Sequence, residues 1–224
     1  MTREVADFIK ANQQLIEVGD FRKLYENAVI GFIRSGRYRF ISEITEVFEA
    51  ASIDPLYYMN DIPYGYHFES KLPKTYSIGN MDTIGAWAFA YTSGIDTLDI
   101  SSVRYIGEFA FYMSSIKTID ILGSVKEIQP GVFEHSDLAN AVINEGTTTI
   151  LDEAFSHCYN LTDIWLPKSL TDVAESAFQS CTDLKNIYYN STSYDFYNLN
   201  FKFNKIGSGK VDVHCTDKVI TFYG

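Results

Sequence analysis

The sequence predicts an α+β protein: a short solenoid with parallel strands, preceded by a small all-α N-terminal unit and closed by a C-terminal β cap. Three observations carry that expectation. An Ala-Phe or Val-Phe pair places an aromatic ring at Phe89, Phe111, Phe133, Phe155 and Phe178, so successive steps are 22, 22, 22 and 23 residues by subtraction. Apolar residues fall at helical spacing before residue 54. Two strand-like runs, Val211 to Cys215 and Val219 to Tyr223, follow the point where the repeat loses its register.

Other columns fall into step once the chain is cut at the phenylalanines. Five residues before each ring stands an aliphatic: Ile84, Ile106, Ile128, Ile150 and Val173. After it come the alternating pairs Leu98/Ile100, Ile119/Ile121, Ala141/Ile143, Ile164/Leu166 and Ile187/Tyr189, which read as short strands with one face buried. Three residues after each ring the side chain is small: Thr92, Ser114, Ser136, Cys158 and Cys181. One unit of this length cannot bury its own apolar face, so neighbours must stack and their columns must fuse into a shared core.

In chain order, residues 2–18 read as an amphipathic helix with Thr2 as N-cap and Val5, Phe8, Ile9, Leu15 and Ile16 on one face. Gly19 and Asp20 suit a stop and a new start. A second helix carries Leu24, Ala28, Val29, Phe32 and Ile33, and a third carries Phe40, Ile41, Ile44, Val47, Phe48 and Ala51 before Asp54-Pro55. The segmentation is a helical unit over 1–54 that docks or caps, an aromatic connector over 55–67, repeats over 68–189 and a cap over 190–224. The connector carries Tyr57, Tyr58, Tyr64 and Tyr66 and is expected to pack on the first repeat. Lys71-Leu72-Pro73-Lys74 echoes Leu166-Pro167-Lys168, which marks a degenerate first unit starting near Phe68.

The units "ILDEAFSHCYNLTDIWLP", Ile150 to Pro167, and "VAESAFQSCTDLKNIYY", Val173 to Tyr189, resemble the leucine-rich repeat family and, within it, the BspA-like (Treponema pallidum type) class. "IGAWAFAYTSGIDTLDI" lacks the Cys, and "IQPGVFEHSDLANAVI" replaces the Ala by Val132. The resemblance implies a leucine-rich-repeat solenoid from about residue 68 onward. It also implies that the closing "VHCTD" strand shields the last coil.

A net charge of −11 argues against nucleic acid and anionic membrane as partners. No run approaches a membrane span, and the first residues lack the basic start and apolar core of a secretory signal. No G-x-S-x-G elbow, H-E-x-x-H helix or phosphate-cradling loop occurs, so no enzyme and no cofactor are expected. Cys158 and Cys181 share a column and are read as reduced core thiols. His135 and His157 also share a column, but two histidines make a poor metal site and are read as solvated turn residues.

The candidate binding residues stand at outward strand positions: Thr97, Asp99, Thr118, Asp120, Asn140, Asp163, Trp165, Asn186 and Tyr188; Val142 is the remaining outward position. They grade from acidic to aromatic, and Trp165 beside Tyr188 has the chemistry of an interaction anchor. The expected function is that of a non-catalytic structural and interaction protein. Its helical head would dock into a larger assembly, such as a bacteriophage virion, and its repeat face would bind a protein or glycan. A cell-surface adhesin is the second reading, and a hydrolase using Asp99 and Asp120 the third.

Overall fold

The structure, a computed structural model, describes residues 61–62, 65–199, 201, 206 and 209–223, together with Asp7, Lys10, Ala11, Asn27 and Ala28. These last five are helical, and the remainder of the helical unit expected over 1–54 lies outside the described residues, as do residues 55–60, 63 and 64 of the aromatic connector.

Among the described residues the chain is a parallel-strand solenoid of about six turns with little helix. Its strands, in chain order, are β1 (Asp61–Ile62), β2 (Thr75–Ser77), β3 (Thr83–Ile84), β4 (Thr97–Asp99), β5 (Tyr105–Ile106), β6 (Thr118–Ile121), β7 (Glu127–Ile128), β8 (Asn140–Ile143), β9 (Thr149–Ile150), β10 (Asp163–Leu166), β11 (Asp172–Val173), β12 (Asn186–Tyr189), β13 (Lys210–His214) and β14 (Val219–Tyr223). The main sheet runs β14-β13-β12-β10-β8-β6-β4-β2, parallel throughout except for the final β13–β14 pair. Two short parallel sheets, β1-β3-β5 and β7-β9-β11, form along the aliphatic column that precedes each phenylalanine. The sequence gives no sign of that second set, because two-residue strands show no alternation to read.

The core is the phenylalanine column itself. Phe89, Phe111, Phe133 and Phe155 are fully buried, and successive rings from Phe89 to Phe178 lie 5.2, 5.2, 5.2 and 5.1 Å apart with interplanar angles of 10°, 8°, 15° and 1°. Each ring is worth about 1.5–3 kcal/mol of burial, and each stacked pair adds about 0.5–1.5 kcal/mol. The column runs past the five rings that mark it in the sequence. His67, 22 residues before Phe89, lies against that ring at 4.9 Å with 32° between planes, and Phe201 stacks on Phe178 at 5.0 Å.

Between the sheets each coil turns at left-handed residues. Trp87, Phe109, Gly131 and Glu153 hold positive φ two residues before the ring, and Tyr91, Met113, His135, His157 and Ser180 hold it two residues after. Side chains there cost about 1–2 kcal/mol each. The backbone offsets that cost by donating to the next coil: Trp87 N–H to the Glu108 carbonyl at 3.1 Å, Phe89 to Ala110 at 2.7 Å and Tyr91 to Tyr112 at 2.8 Å. Gly131 has a second reason to lack a side chain, since a Cβ there would sit 2.2 Å from the Phe109 ring.

Hydroxyls and thiols tie the coils together in the opposite sense. Ser102, Ser124, Thr147 and Ser169 each donate to a carbonyl of the preceding coil at 2.7–3.0 Å. Cys158 donates its S–H to the Phe133 carbonyl and Cys181 to that of Phe155, both at 3.0 Å. Burial pushes the Cys158 thiol up to about 12 and raises Cys181 as well, so neither is poised to react. They are packing residues in the small column.

The far end carries a short helix, α1 (Ser193–Asn198), where the sequence reads as a polar turn. Thr192 caps it: its Oγ1 accepts from the Asp195 N–H while the Asp195 carboxylate accepts from the Thr192 N–H. This places Phe196 against Tyr189 at 5.5 Å and Phe201 at 5.6 Å, over the last rings of the column. The two closing strands appear as expected, with β13 parallel to β12 and β14 antiparallel to β13.

Candidate interaction surface on the strand face

Alternation along β4, β6, β8, β10 and β12 sends one side chain inward and the next outward, so all nine expected binding residues lie on the outward face of the main sheet. Register sorts them into two rows. The first holds Thr97, Thr118, Asn140, Asp163, Asn186 and then Asp212, and the second holds Asp120, Val142, Trp165, Tyr188 and then His214.

The first row is bonded within itself. Asn186 Nδ2 donates to Asp163 Oδ1 at 2.8 Å, Thr162 Oγ1 donates to the other Asp163 oxygen at 2.6 Å, and Asn186 Oδ1 lies 3.1 Å from His214 Nε2. Asp212 accepts from Lys210 and Thr221, both at 2.6 Å, which holds its carboxyl below the usual range. These bonds hold the row's side chains in place.

The second row is an aromatic stack. Trp165 lies 4.8 Å from Tyr188 with 12° between planes, and Tyr188 lies 4.7 Å from His214 with 18° between planes. Parallel strands place equivalent side chains about 4.8 Å apart, which is also the spacing of stacked rings. Trp165 keeps 38% of its surface exposed. On its other side the neighbouring rung is Val142, smaller than a ring. A groove of about 440 Å³ runs along this row, lined among others by Val142, Asn144, Glu145, Trp165, Tyr188 and His214.

The acidic end of the face is different. Strands β4 and β6 pair only at Thr97 and Thr118, so the ladder between them does not extend to Asp99 and Asp120. Asp99 accepts from the Ser101 N–H at 3.0 Å, which holds its carboxyl below the usual range, while Asp120 accepts from Asn144. Each carboxylate is engaged separately, and neither lines the groove beside Trp165.

His214 and Asp212 are the residues that sequence reasoning missed here. They stand 26 residues after Tyr188 and Asn186, outside the 22–23-residue interval, so the periodicity carried no signal for them.

Residues 65–208 match the BspA-type leucine-rich repeat region in six copies, well over half of the chain. Among solved structures, the chain is similar to a leucine-rich cell surface protein from Faecalibacterium prausnitzii A2-165, with 30% identity and a TM-score of 0.55 over 62% of this chain and 36% of that one. It is also similar to a leucine-rich repeat protein from Eubacterium ventriosum ATCC 27560, with 18% identity and a TM-score of 0.41 over 51% of this chain and 41% of that one. The chain thus spans well under half the length of each. No curated protein matches it. Among the described residues, no helix is long and apolar enough to cross a membrane.

Proposed function

The chain belongs to the BspA-type leucine-rich repeat family, and from that premise we propose that its strand face binds a protein partner in adhesion at a cell surface, with Trp165 and Tyr188 as the anchor. The observation that carries this reading is the three-ring stack of Trp165, Tyr188 and His214 bordering an open groove. Tryptophan and tyrosine supply a disproportionate share of interface energy. Rings already held by their neighbours lose little freedom on binding, so less of the contact energy goes into ordering them.

The groove beside this stack is the place for one more planar group of the partner. An arginine or an aromatic side chain fits that place, and Glu145 at the rim favours arginine. The cell-surface description of the Faecalibacterium protein supports a cell surface as the setting. No corresponding observation supports a virion component. In this reading the helical unit expected over residues 1–54 attaches the solenoid to its assembly while the strand face reads the partner.

Peptides selected from a randomised library against the full chain test the proposal. Binders carrying arginine or aromatic residues are expected to lose about tenfold or more in affinity for Trp165→Ala/Tyr188→Ala and to keep it for Asp99→Asn. Equal affinity for wild type and the double alanine variant would remove the strand face as the reader.

A further inference from the structure

Two residues after each ladder ring, successive coils place Tyr91, Met113, His135, His157 and Ser180 in one column at the turn, each with positive φ. Within that column His135 and His157 lie face to face, 4.4 Å between centroids and 18° between planes. Glu134 Oε1 stands 3.7 Å from His135 Nε2. One donor atom from each of Glu134, His135 and His157 lies within 4.8 Å of the other two.

We propose that Glu134, His135 and His157 together hold a divalent transition-metal ion of the zinc type, with its remaining coordination completed by water. Two imidazoles and one carboxylate form a donor set that zinc accepts when a position is left open. Imidazole nitrogens disfavour calcium and magnesium, which take oxygen ligands. Metal–ligand bonds of about 2.0–2.2 Å require the donor atoms to draw together by roughly 1–1.5 Å from their present limits. Rotation about χ2 supplies that movement, because the torsion of a histidine ring is broad.

The surroundings fit a ligand role better than a packing role alone. The buried Ser156 hydroxyl lies 2.7 Å from His157 Nδ1, and a proton held on that nitrogen leaves the Nε2 lone pair for a metal. Tyr112 sets its edge against His135 at 5.9 Å, and Tyr159 does so against His135 and His157 at 6.2 and 5.8 Å, walling the pair laterally.

Titration of the metal-stripped full chain with zinc chloride by calorimetry tests this. Wild type is expected to take up one equivalent. His135→Asn/His157→Asn should weaken uptake by about a hundredfold and Glu134→Gln by about tenfold. Asparagine is chosen because it tolerates the left-handed backbone at both positions, and circular dichroism confirms that each variant keeps its fold. His214→Asn should bind as wild type does, and calcium should not bind. Zinc uptake of equal affinity in the double asparagine variant, or no uptake by wild type, would overturn the proposal. Should the double variant fail to fold, undiminished uptake by Glu134→Gln overturns it instead.

Discussion

The two faces of the main sheet are made by the same strands and obey different rules. Inward residues repeat in kind from coil to coil, and the ring column they surround keeps its spacing from Phe89 to Phe178. Outward residues one position away change from threonine and aspartate to asparagine, tryptophan and tyrosine within five coils. A stacked interior needs only that each coil match its neighbours, so it is satisfied by repetition. The exposed face carries no such requirement, and variation there leaves the fold intact.

The largest test of this contrast is to cut one residue from each face. Phe133→Ala removes a fully buried ring stacked on both sides and should cost about 3–5 kcal/mol. Trp165→Ala should cost about 1 kcal/mol or less. Urea unfolding of the two variants measures the difference, and equal losses would mean that the outward stack is part of the core.

A second test lies at the N-terminal end of the ring column, where His67 stands in the place of a phenylalanine. Burial pushes its imidazole down to about 4, and Tyr76 Oη lies 3.2 Å from its Nε2. The group is a base whose pKa is depressed in the folded chain, so below its unfolded value of 6.5 the unfolded chain takes up a proton that the folded chain refuses. Stability should therefore be unaffected by this residue above about pH 6.5 and fall by about 3 kcal/mol as the pH drops to about 4. His67→Phe should flatten that part of the pH profile in denaturant titrations while continuing the stack.

A third and smaller test lies at the turn. Gly131→Ala puts a Cβ against the Phe109 ring and a side chain on a φ of +61°, costing about 1–3 kcal/mol. In a Phe109→Ala background the steric part should vanish and only the backbone part remain. Thermal unfolding of the four chains separates the two.

The sequence exposed the ladder because its period is nearly constant and its rings are of one type. Its ends were harder to see. His67 stands at the right interval, but a histidine does not announce itself as the neighbour of five phenylalanines. His214 extends the outer aromatic row from a strand that arrives 26 residues late, after α1 has interrupted the period. That helix has six residues, too few for helical spacing to register, although its Thr192-to-Asp195 capping box is visible in the sequence. Trp165 beside Tyr188 was legible, because register follows directly from the repeat. Glu134 was not legible as a neighbour of His157, since no spacing rule says which way a side chain leaves a left-handed turn.

The hydrogen bonds joining Trp87 to Glu108, Phe89 to Ala110 and Phe111 to Val132 all run along the solenoid axis, each tying a coil to the one after it. A pull on the two ends of such a stack loads the coils in series, and they open by unzipping one at a time. Each opened coil releases about 70–80 Å of slack tether. A chain hauled by its ends would yield in instalments, lengthening with each lost coil while those still stacked keep their grip.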